Sequence, residues 1–142
     1  MKKVSQILSR KGSDVIAVPP DTHVLDALKI MAERNFGSLI VKEGDTYLGL
    51  MTERDYARKV ILKGKSSSDT RVADIMSADL PHITPEDSIE QCMRLMSEKN
   101  IRYLPVFENQ RLCGIISILD VIKETIISQQ ETIEHLQSYI QS

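Results

Sequence analysis

The strongest constraint on the fold is an internal repeat. The segment Gly49–Asp55 (GLMTERD) returns 65 positions later as Gly114–Asp120 (GIISILD). Without a gap, the same offset also pairs upstream positions such as Pro20 with Pro85, Met31 with Met96, Asn35 with Asn100 and Leu39 with Leu104. A register that is kept over roughly forty residues indicates a duplicated unit.

Size and charge limit what the two copies can be. The chain has 142 residues, of which 42% are hydrophobic, enough for one compact domain or two small units. A half of about seventy residues is marginal by itself, so we expect the repeats to pack on each other. The formal net charge of -2 provides no broad basic field and argues against nucleic acid as a partner.

The sequence pattern predicts neither a membrane span, nor a disulfide, nor a metal site. No apolar run approaches the roughly eighteen residues of a span, and Met1–Ser5 leads into an amphipathic pattern rather than a signal peptide. We therefore expect a cytoplasmic protein. Cys92 and Cys113 are predicted to be small apolar core residues in a reducing compartment. The histidines lie far apart, without other ligands at metal-binding spacing.

Each repeat is predicted to fold as strand, helix, strand, strand, helix, which is an α+β pattern. The runs Val15-Ile16-Ala17-Val18 and Leu80-Pro81-His82-Ile83 predict the first strand of each repeat. Helical spacing of apolar residues after the N-cap candidates Thr22 and Asp87 predicts the first helix. Two apolar runs around a polar turn then predict a hairpin.

Each end of the chain adds helical sequence. A short apolar stripe in residues 4–8 recurs 68 rather than 65 positions later, so a loop with three extra residues is expected around Ser9 to Asp14. The last helix carries a long apolar seam, formed by Ile122, Ile126, Ile133, Leu136 and Ile140. Packing on its own domain and self-association fit this seam equally well. The expected boundaries are a first unit with the N-terminal helix (1–62), a linker (63–71), a second unit (72–123) and a helical extension (124–142).

The repeated motif contains Thr52-x-x-Asp55 and Ser117-x-x-Asp120, each at the predicted start of a second helix. The pattern is that of a capping box, in which hydroxyl and carboxylate bond the first free N–H groups of the helix. It also fits a ligand site, because the glycine that opens the motif permits close backbone approach and a helix start attracts anions. A carboxylate held there can accept both hydroxyls of a ribose. Spacing alone leaves both interpretations open.

The two motifs, together with Arg102-Tyr103-Leu104-Pro105-Val106 ahead of the second hairpin, resemble those of CBS domains. The resemblance extends from Val4 to about Lys123 and implies a stand-alone tandem pair, similar to small CBS proteins of bacteria and plant organelles. Such pairs sense adenosine-containing ligands, namely AMP, ADP, ATP, NAD(H) or S-adenosylmethionine, and commonly dimerise. The resemblance therefore implies a regulatory nucleotide-binding protein in signal transduction, with no cofactor acting as a catalyst.

The resemblance also implies which residues bind the ligand, in two clefts between the units. One cleft would use Thr52 and Asp55 with Leu80, Pro81, His82, Ile83 and Arg102. The other would use Ser117 and Asp120 with Val15, Ile16, Ala17, Val18 and Ser38. Tyr103 is a further candidate, and the short strands would hold adenine by backbone hydrogen bonds.

The two clefts are predicted to differ in their preference for phosphates. Gly37 stands where the second repeat has Arg102, so the cleft of Asp120 loses a candidate phosphate cation. The cleft of Asp55 is therefore expected to favour charged phosphates. Three further cations are expected to help there, although they also fit a solvated helix face: Arg54, Arg58 and Lys59.

Three functions are compatible with these motifs. The expected one is a homodimeric regulatory module, in which a bound adenine nucleotide changes the conformation and an unidentified partner protein responds. An enzyme that acts on the nucleotide needs a base and a nucleophile, and Glu53, His82 and Cys113 form no such pair, so we expect no enzyme. A ligand-free scaffold would use the two motifs as caps alone.

Overall fold

The computed structural model describes residues 2–12 and 15–141. The chain divides into two compact units. The first-repeat unit is Val15–Leu80, and the second-repeat unit combines the N-terminal segment with the chain from Pro81 onward. Each unit contains helices and a β-hairpin, which confirms the predicted α+β class.

The elements follow the predicted order in the first repeat, and also in the second repeat except for its first strand, which is reduced to an isolated bridge. In chain order they are α1 (Val4–Lys11), β1 (Ala17–Val18), α2 (Val24–Arg34), β2 (Ser38–Glu43), β3 (Thr46–Thr52), α3 (Glu53–Tyr56), α4 (Ile89–Lys99), β4 (Tyr103–Glu108), β5 (Arg111–Ser117) and α5 (Ile118–Gln141). A π-helical turn, Ala57–Ile61, continues α3, and a 3-10 turn, Val72–Asp74, precedes the second repeat.

Both predicted hairpins are present, and each closes with a two-residue turn. β2 and β3 are antiparallel and join through Gly44 and Asp45, and Gly44 has a φ of 60°. β4 and β5 are also antiparallel, and their turn residues Asn109 and Gln110 have φ values of 54° and 65°. Positive φ at such positions matches the right-handed twist of the two strands. In the first-repeat unit, β1 adds to the hairpin by pairing parallel with β2.

The first strand of each repeat is shorter than predicted. In the first repeat, β1 covers only Ala17–Val18 of the predicted four residues. In the first-repeat unit, the Ile40 N–H donates to the Ile16 carbonyl at 3.0 Å as β1 pairs with β2. The equivalent segment of the second-repeat unit contributes a single bridge, between Ile83 and Val106. The residue equivalent to Ile40 is Pro105, which has no N–H to donate, so the pairing does not extend toward the N-terminus.

The first helix of each repeat begins one residue later than predicted. The N-cap residues are His23 and Ser88 rather than Thr22 and Asp87. The Ser88 hydroxyl oxygen accepts the N–H of Gln91 at 3.1 Å. The carboxylate of Asp87 instead accepts a backbone N–H of the preceding turn at 2.8 Å, because an aspartate readily bonds its own local backbone.

Helix α1 occupies part of the segment where a loop is predicted. Its helical turns continue through Ser9 to Lys11, and it ends at Gly12, whose N–H donates to the Leu8 carbonyl at 2.8 Å. Glycine takes the required φ of 85° there without strain. The rest of the predicted loop, Ser13 and Asp14, lies outside the described residues.

Each repeat packs with the segment that precedes the other repeat in the chain. The Val4 N–H of α1 donates to the Asp87 carbonyl at 3.0 Å. At the equivalent place in the first-repeat unit, the Val72 N–H donates to the Thr22 carbonyl at 2.8 Å. Helix α1 therefore packs within the second-repeat unit, whereas the sequence boundary groups it with the first repeat.

Each unit has its own apolar core. In the first-repeat unit the core residues are Val18, Val24, Ala27, Met31, Leu39, Val41, Met51, Val60, Val72 and Ile75. In the second-repeat unit they are Val4, Ile7, Ile83, Ile89, Cys92, Met96, Leu104, Val106, Ile116 and Val121. Cys92 is buried in this core and Cys113 packs against it, both as free thiols. Burial, with a smaller effect of the Asp87 charge, raises the pKa of Cys92 to about 11.

Helix α5 extends beyond the core of its unit. Val121 and Glu124 are buried, whereas every residue from Gln129 to Gln141 is exposed. The predicted seam lies on this helix with exposed fractions between 43% and 81%: Ile122, Ile126, Ile133, Leu136 and Ile140. The seam therefore does not pack on its own unit, which was one of the two predicted alternatives.

Candidate functional site

Asp55 is a nearly buried residue that caps helix α3. Strand β3 ends at Thr52, whose extended backbone brings its side chain to the first turn of α3. The Asp55 N–H donates to Thr52 Oγ1 at 3.1 Å, and the Thr52 N–H donates back to Asp55 Oδ2 at 3.0 Å. The Thr52 hydroxyl donates to the same Oδ2 at 2.9 Å. The capping-box interpretation is thus confirmed at this position.

Two further groups complete the surroundings of the Asp55 carboxylate. The Ser77 hydroxyl donates to Oδ1 at 2.9 Å, and the Lys59 ammonium lies 3.0 Å from the same atom. Lys59 also donates to the Ile75 carbonyl at 2.9 Å. A carboxylate has about four lone-pair positions, and these donors, together with the two groups of Thr52, occupy all of them. Lys59, which the sequence suggests for phosphate binding, is engaged here as the counter-ion of Asp55, with a side chain that is 44% exposed.

Asp120 forms the equivalent cap at the start of α5. The Asp120 N–H donates to the Ser117 hydroxyl oxygen at 3.2 Å, and the Ser117 N–H donates to Asp120 Oδ2 at 2.8 Å. A lysine again faces the carboxylate, but it is Lys11, the last residue of α1, at 2.7 Å from Oδ2. Lys11 also donates to the Ile115 carbonyl at 2.9 Å. The sequence gives no signal for this contact between distant residues.

The Asp120 site keeps hydrogen-bonding capacity that the Asp55 site lacks. Within the described part of the chain, no donor lies within hydrogen-bonding distance of Asp120 Oδ1. The Ser117 hydroxyl accepts the Asp120 N–H, and among the same residues its own proton has no acceptor. The Asp120 side chain is 16% exposed, against 7% for Asp55. Asp120 can therefore accept further donors, and Ser117 can still donate.

We call the segment that precedes one repeat and packs on the other an exchanged segment. The two exchanged segments differ in secondary structure, which explains why Asp55 and Asp120 have different partners. In the first-repeat unit, the chain after the 3-10 turn is extended, and Ser77 bridges Leu50 through backbone hydrogen bonds of 2.7 and 2.9 Å. In the second-repeat unit, α1 stays helical to Lys11, whose side chain reaches the carbonyl of Ile115. Ile115 is the residue equivalent to Leu50. Its carbonyl therefore accepts from the Lys11 side chain, whereas the Leu50 carbonyl accepts from the backbone N–H of Ser77.

A buried carboxylate ties α1 to α5 next to this site. Glu124, at the position equivalent to Lys59, is 2% exposed. The Arg10 Nε lies 2.8 Å from Glu124 Oε2, and the Lys2 Nζ lies 3.9 Å from Oε1. Both cations also pair with Glu131, at 3.7 Å from Arg10 and 3.1 Å from Lys2. Arg10 forms two of these four ion pairs and therefore anchors α1, whose last residue faces the cap, on α5.

The glycine that opens each motif makes room for the protein itself. A Cβ at Gly49 would lie 2.6 Å from the Ser77 carbonyl oxygen. A Cβ at Gly114 would lie 2.8 Å from Leu8 Cδ2. The close approach predicted for these glycines thus occurs, but toward the exchanged segments, and the glycines carry no evidence for a ligand.

Arg102 lies beside the cap of α5 in its own unit. Its carbonyl accepts the N–H of Ile118, the first residue of α5, at 2.9 Å. The neighbouring Tyr103 pairs with Ser117 across the hairpin. The Arg102 side chain is exposed. The equivalent residue of the first-repeat unit, Gly37, provides no cation beside α3.

The other predicted ligand-binding residues are divided between the units. Those in the first-repeat unit are Val15, Ile16, Ala17, Val18, Ser38, Arg54, Arg58 and Leu80. Those in the second-repeat unit are Pro81, His82, Ile83, Arg102 and Tyr103. Within the units, Ser38 pairs with Thr52 between β2 and β3, and the His82 ring stacks on Phe107 with centroids 4.1 Å apart. Their roles in binding stay predictions.

Neither a metal-binding cluster nor a membrane-spanning helix occurs in residues 2–12 and 15–141. No three His, Cys, Asp or Glu side chains converge on one point in this range. The helices of the same residues are too short or too polar to cross a membrane.

Comparisons with known sequences agree on one family. The CBS domain model matches residues 4–62 and 72–126. The chain is 36% identical to the mitochondrial CBS domain-containing protein CBSX3 of Arabidopsis thaliana, over 97% of this chain and 71% of that protein. It is 29% identical to the CBS domain-containing protein YhcV of Bacillus subtilis, over 83% of this chain and 84% of that protein.

Solved structures agree with this match. A putative signal-transduction protein with CBS domains from Burkholderia ambifaria has a TM-score of 0.87 and 44% identity, over 90% of this chain and 96% of that one. A hexameric CBS-CP12 protein from bloom-forming cyanobacteria has a TM-score of 0.75 and 32% identity, over 86% and 70%. CBS domain proteins generally act as regulatory modules that bind adenosine-containing ligands. Since both repeats match and the structure follows them, this chain belongs to the CBS domain family as a tandem pair of CBS domains.

Proposed function

We propose that this protein is a regulatory module that binds an adenosine-containing ligand at Asp120 and performs no chemistry on it. The candidate ligands are AMP, ADP, ATP, NAD(H) and S-adenosylmethionine. Binding would change the population of conformations, and a partner protein would respond to that change.

The incomplete set of partners at Asp120 is the observation that supports this function best. A ribose presents two adjacent hydroxyl donors, and a carboxylate can accept both. Oδ1 of Asp120 has no donor among the described residues, and the Ser117 hydroxyl can donate to a phosphate oxygen. The start of α5 adds the positive end of a helix dipole, and Arg102 adds an exposed cation beside it.

For Asp55 we propose a structural role as the cap of α3. Its carboxylate accepts from the Thr52 N–H and hydroxyl, from the Ser77 hydroxyl and from the Lys59 ammonium. A ribose would have to displace at least two of these donors from a side chain that is 7% exposed. We therefore propose the reverse of the order expected from the sequence, with Asp120 as the principal ligand residue.

We further propose that the protein acts as a homodimer. The apolar seam of α5 is exposed in the single chain, and a second copy would remove it from water: Ile122, Ile126, Ile133, Leu136 and Ile140. The similarity to a hexameric CBS-CP12 protein supports self-association without fixing the number of copies. The cytoplasmic location stays a prediction, since the relative CBSX3 is named as mitochondrial.

Thermal unfolding with a ligand panel tests the sensor function. The panel is AMP, ATP, NAD, NADH and S-adenosylmethionine, added to the native protein and to Asp120→Ala. A ligand at a hundred times its dissociation constant should stabilise the native protein by about 2.7 kcal/mol, or roughly 9 °C. We expect one ligand class to do so and Asp120→Ala to lose the shift. If no ligand shifts the native protein, both motifs are caps and the protein is better described as an interaction scaffold.

A further inference from the structure

We propose that Lys11 is a displaceable counter-ion of Asp120 that makes this site selective for ligands carrying a phosphate. This role rests on the proposed function and specifies which adenosine compounds the site accepts. Phosphorylated ligands such as AMP, ATP and NAD would be favoured over adenosine and S-adenosylmethionine.

Lys11 occupies two acceptors at the site. Its ammonium lies 2.7 Å from Asp120 Oδ2 and 2.9 Å from the Ile115 carbonyl oxygen. An ammonium group has three donors, so these contacts use two of them. The side chain is 38% exposed, and it is therefore the accessible partner of a carboxylate that is itself 16% exposed.

A ribose that uses both oxygens of Asp120 would compete with Lys11. Oδ1 has no donor among the described residues, so one hydroxyl can bind there directly. Oδ2 already accepts from the Ser117 N–H and from Lys11. The Ser117 N–H is part of the backbone cap and stays in place, whereas Lys11 is held by a flexible four-carbon chain. The second hydroxyl would therefore take the position of the Lys11 ammonium.

Displacement of Lys11 favours a ligand that brings its own negative charge. The displaced ammonium would lose one charged acceptor and the carbonyl of Ile115. A neutral nucleoside offers no charged acceptor in exchange. The free energy of its binding would therefore include the loss of both hydrogen bonds of Lys11. A phosphate accepts charge-assisted hydrogen bonds from an ammonium group. Lys11 would thus oppose the binding of adenosine and support the binding of AMP.

The movement required is that of one side chain. Helix α1 stays attached to α5 through Arg10, whose Nε lies 2.8 Å from the buried Glu124 carboxylate. Leu8 also packs against the position of Gly114, where a Cβ would lie 2.8 Å from Cδ2. These contacts do not involve the Lys11 ammonium. The helix can therefore remain in place while the ammonium moves from carboxylate to phosphate.

Isothermal titration of adenosine and AMP into native protein, Lys11→Met and Lys11→Arg tests this role. Methionine keeps much of the apolar stem but removes the charge, and arginine keeps the charge. We expect Lys11→Met to reduce the preference for AMP over adenosine by about tenfold, the value of one charge-assisted hydrogen bond. Lys11→Arg should retain most of the preference.

The control is Lys123→Met, which removes the same charge from an exposed position of α5. It should leave the preference within about twofold of the native value. A preference in Lys11→Met equal to that of the native protein overturns the role of Lys11, while the proposed function stands. If the native protein binds neither ligand nor any other member of the panel, the proposed function fails together with it.

Discussion

Asp55 and Asp120 occupy the same position in two copies of one motif, yet their carboxylates have different surroundings. Both accept the N–H of the hydroxyl residue three positions earlier. Asp55 also accepts from Ser77 and Lys59, whereas Asp120 has a single further partner, Lys11, among the described residues. The motif thus determines the cap, and segments outside it determine whether the carboxylate is still available to a ligand.

The largest expected difference between the repeats is in stability. Asp55→Ala would remove the cap of α3 and leave the half-buried Ser77 hydroxyl without its acceptor, so it should cost about 3 kcal/mol. The Lys59 ammonium adds little to this cost, because its side chain is 44% exposed and stays solvated. Asp120→Ala removes a more exposed cap and should cost about 1 kcal/mol. Urea unfolding of both variants measures the difference.

Asp79→Ala is the control for the loss of one negative charge, because this residue is exposed near the end of the first-repeat unit. Its free energy of unfolding should match that of the native protein within about 0.5 kcal/mol. Equal costs for Asp55→Ala and Asp120→Ala would contradict the view that the first carboxylate is fully engaged and the second is not.

The glycines of the motif provide a second, smaller contrast. A Cβ at Gly49 would meet the Ser77 carbonyl, which also accepts the Leu50 N–H, so Gly49→Ala must disturb backbone pairing. A Cβ at Gly114 would meet the end of the Leu8 side chain, which can rotate away. We expect losses of about 2 kcal/mol for Gly49→Ala and about 1 kcal/mol for Gly114→Ala in chemical unfolding.

Leu8→Ala makes space for a Cβ at position 114. It therefore shows how much of the cost of Gly114→Ala comes from the steric contact with Leu8. In the Leu8→Ala background, Gly114→Ala should cost less than in the native protein. A cost for Gly114→Ala that equals the cost for Gly49→Ala would show that the two exchanged segments constrain their hairpins alike.

The smallest expected contrast concerns alkaline pH. Burial raises the pKa of Cys92, in the second-repeat unit, from 9.0 to about 11, and that of Tyr47, in the first-repeat unit, from 10.0 to about 12. The unfolded chain therefore loses each proton first, and the free energy of unfolding falls as the pH rises through these ranges. The loss should begin near pH 9 through Cys92 and near pH 10 through Tyr47.

Urea unfolding between pH 8 and pH 11 measures this loss in the native protein, Cys92→Ala and Tyr47→Phe. Alanine is the matched replacement for Cys92, since the equivalent core residue of the first repeat is Ala27. Cys92→Ala should flatten the pH dependence above pH 9, and Tyr47→Phe should flatten it above pH 10. The same pH dependence in all three proteins would exclude both buried groups as its source.

The periodic parts of the fold are readable from the sequence. The duplication predicts both hairpins and the order of elements, and the capping box correctly predicts the starts of α3 and α5. The shortened first strand of the second repeat also had a signal, because Pro105 cannot donate a ladder hydrogen bond. The one-residue error at Thr22 and Asp87 arose because several polar residues in a row can each serve as a cap.

The partners of the two carboxylates could not be read from the sequence. Lys11 and Asp120 are separated by more than a hundred positions, and no pattern pairs them. Ser77 reaches Asp55 because its segment is extended, whereas the segment of Lys11 is helical, and propensity does not decide between these states for so few residues. The availability of Asp120 is therefore a property of tertiary structure.

Titration of AMP into Asp55→Ala and Asp120→Ala, beside the native protein, tests the central difference most directly. We predict that Asp55→Ala binds AMP within about threefold of the native affinity and that Asp120→Ala loses at least about tenfold, as expected for charge-assisted hydrogen bonds to the ribose. Native affinity in Asp120→Ala, together with lost affinity in Asp55→Ala, would contradict the assignment of cap and ligand site.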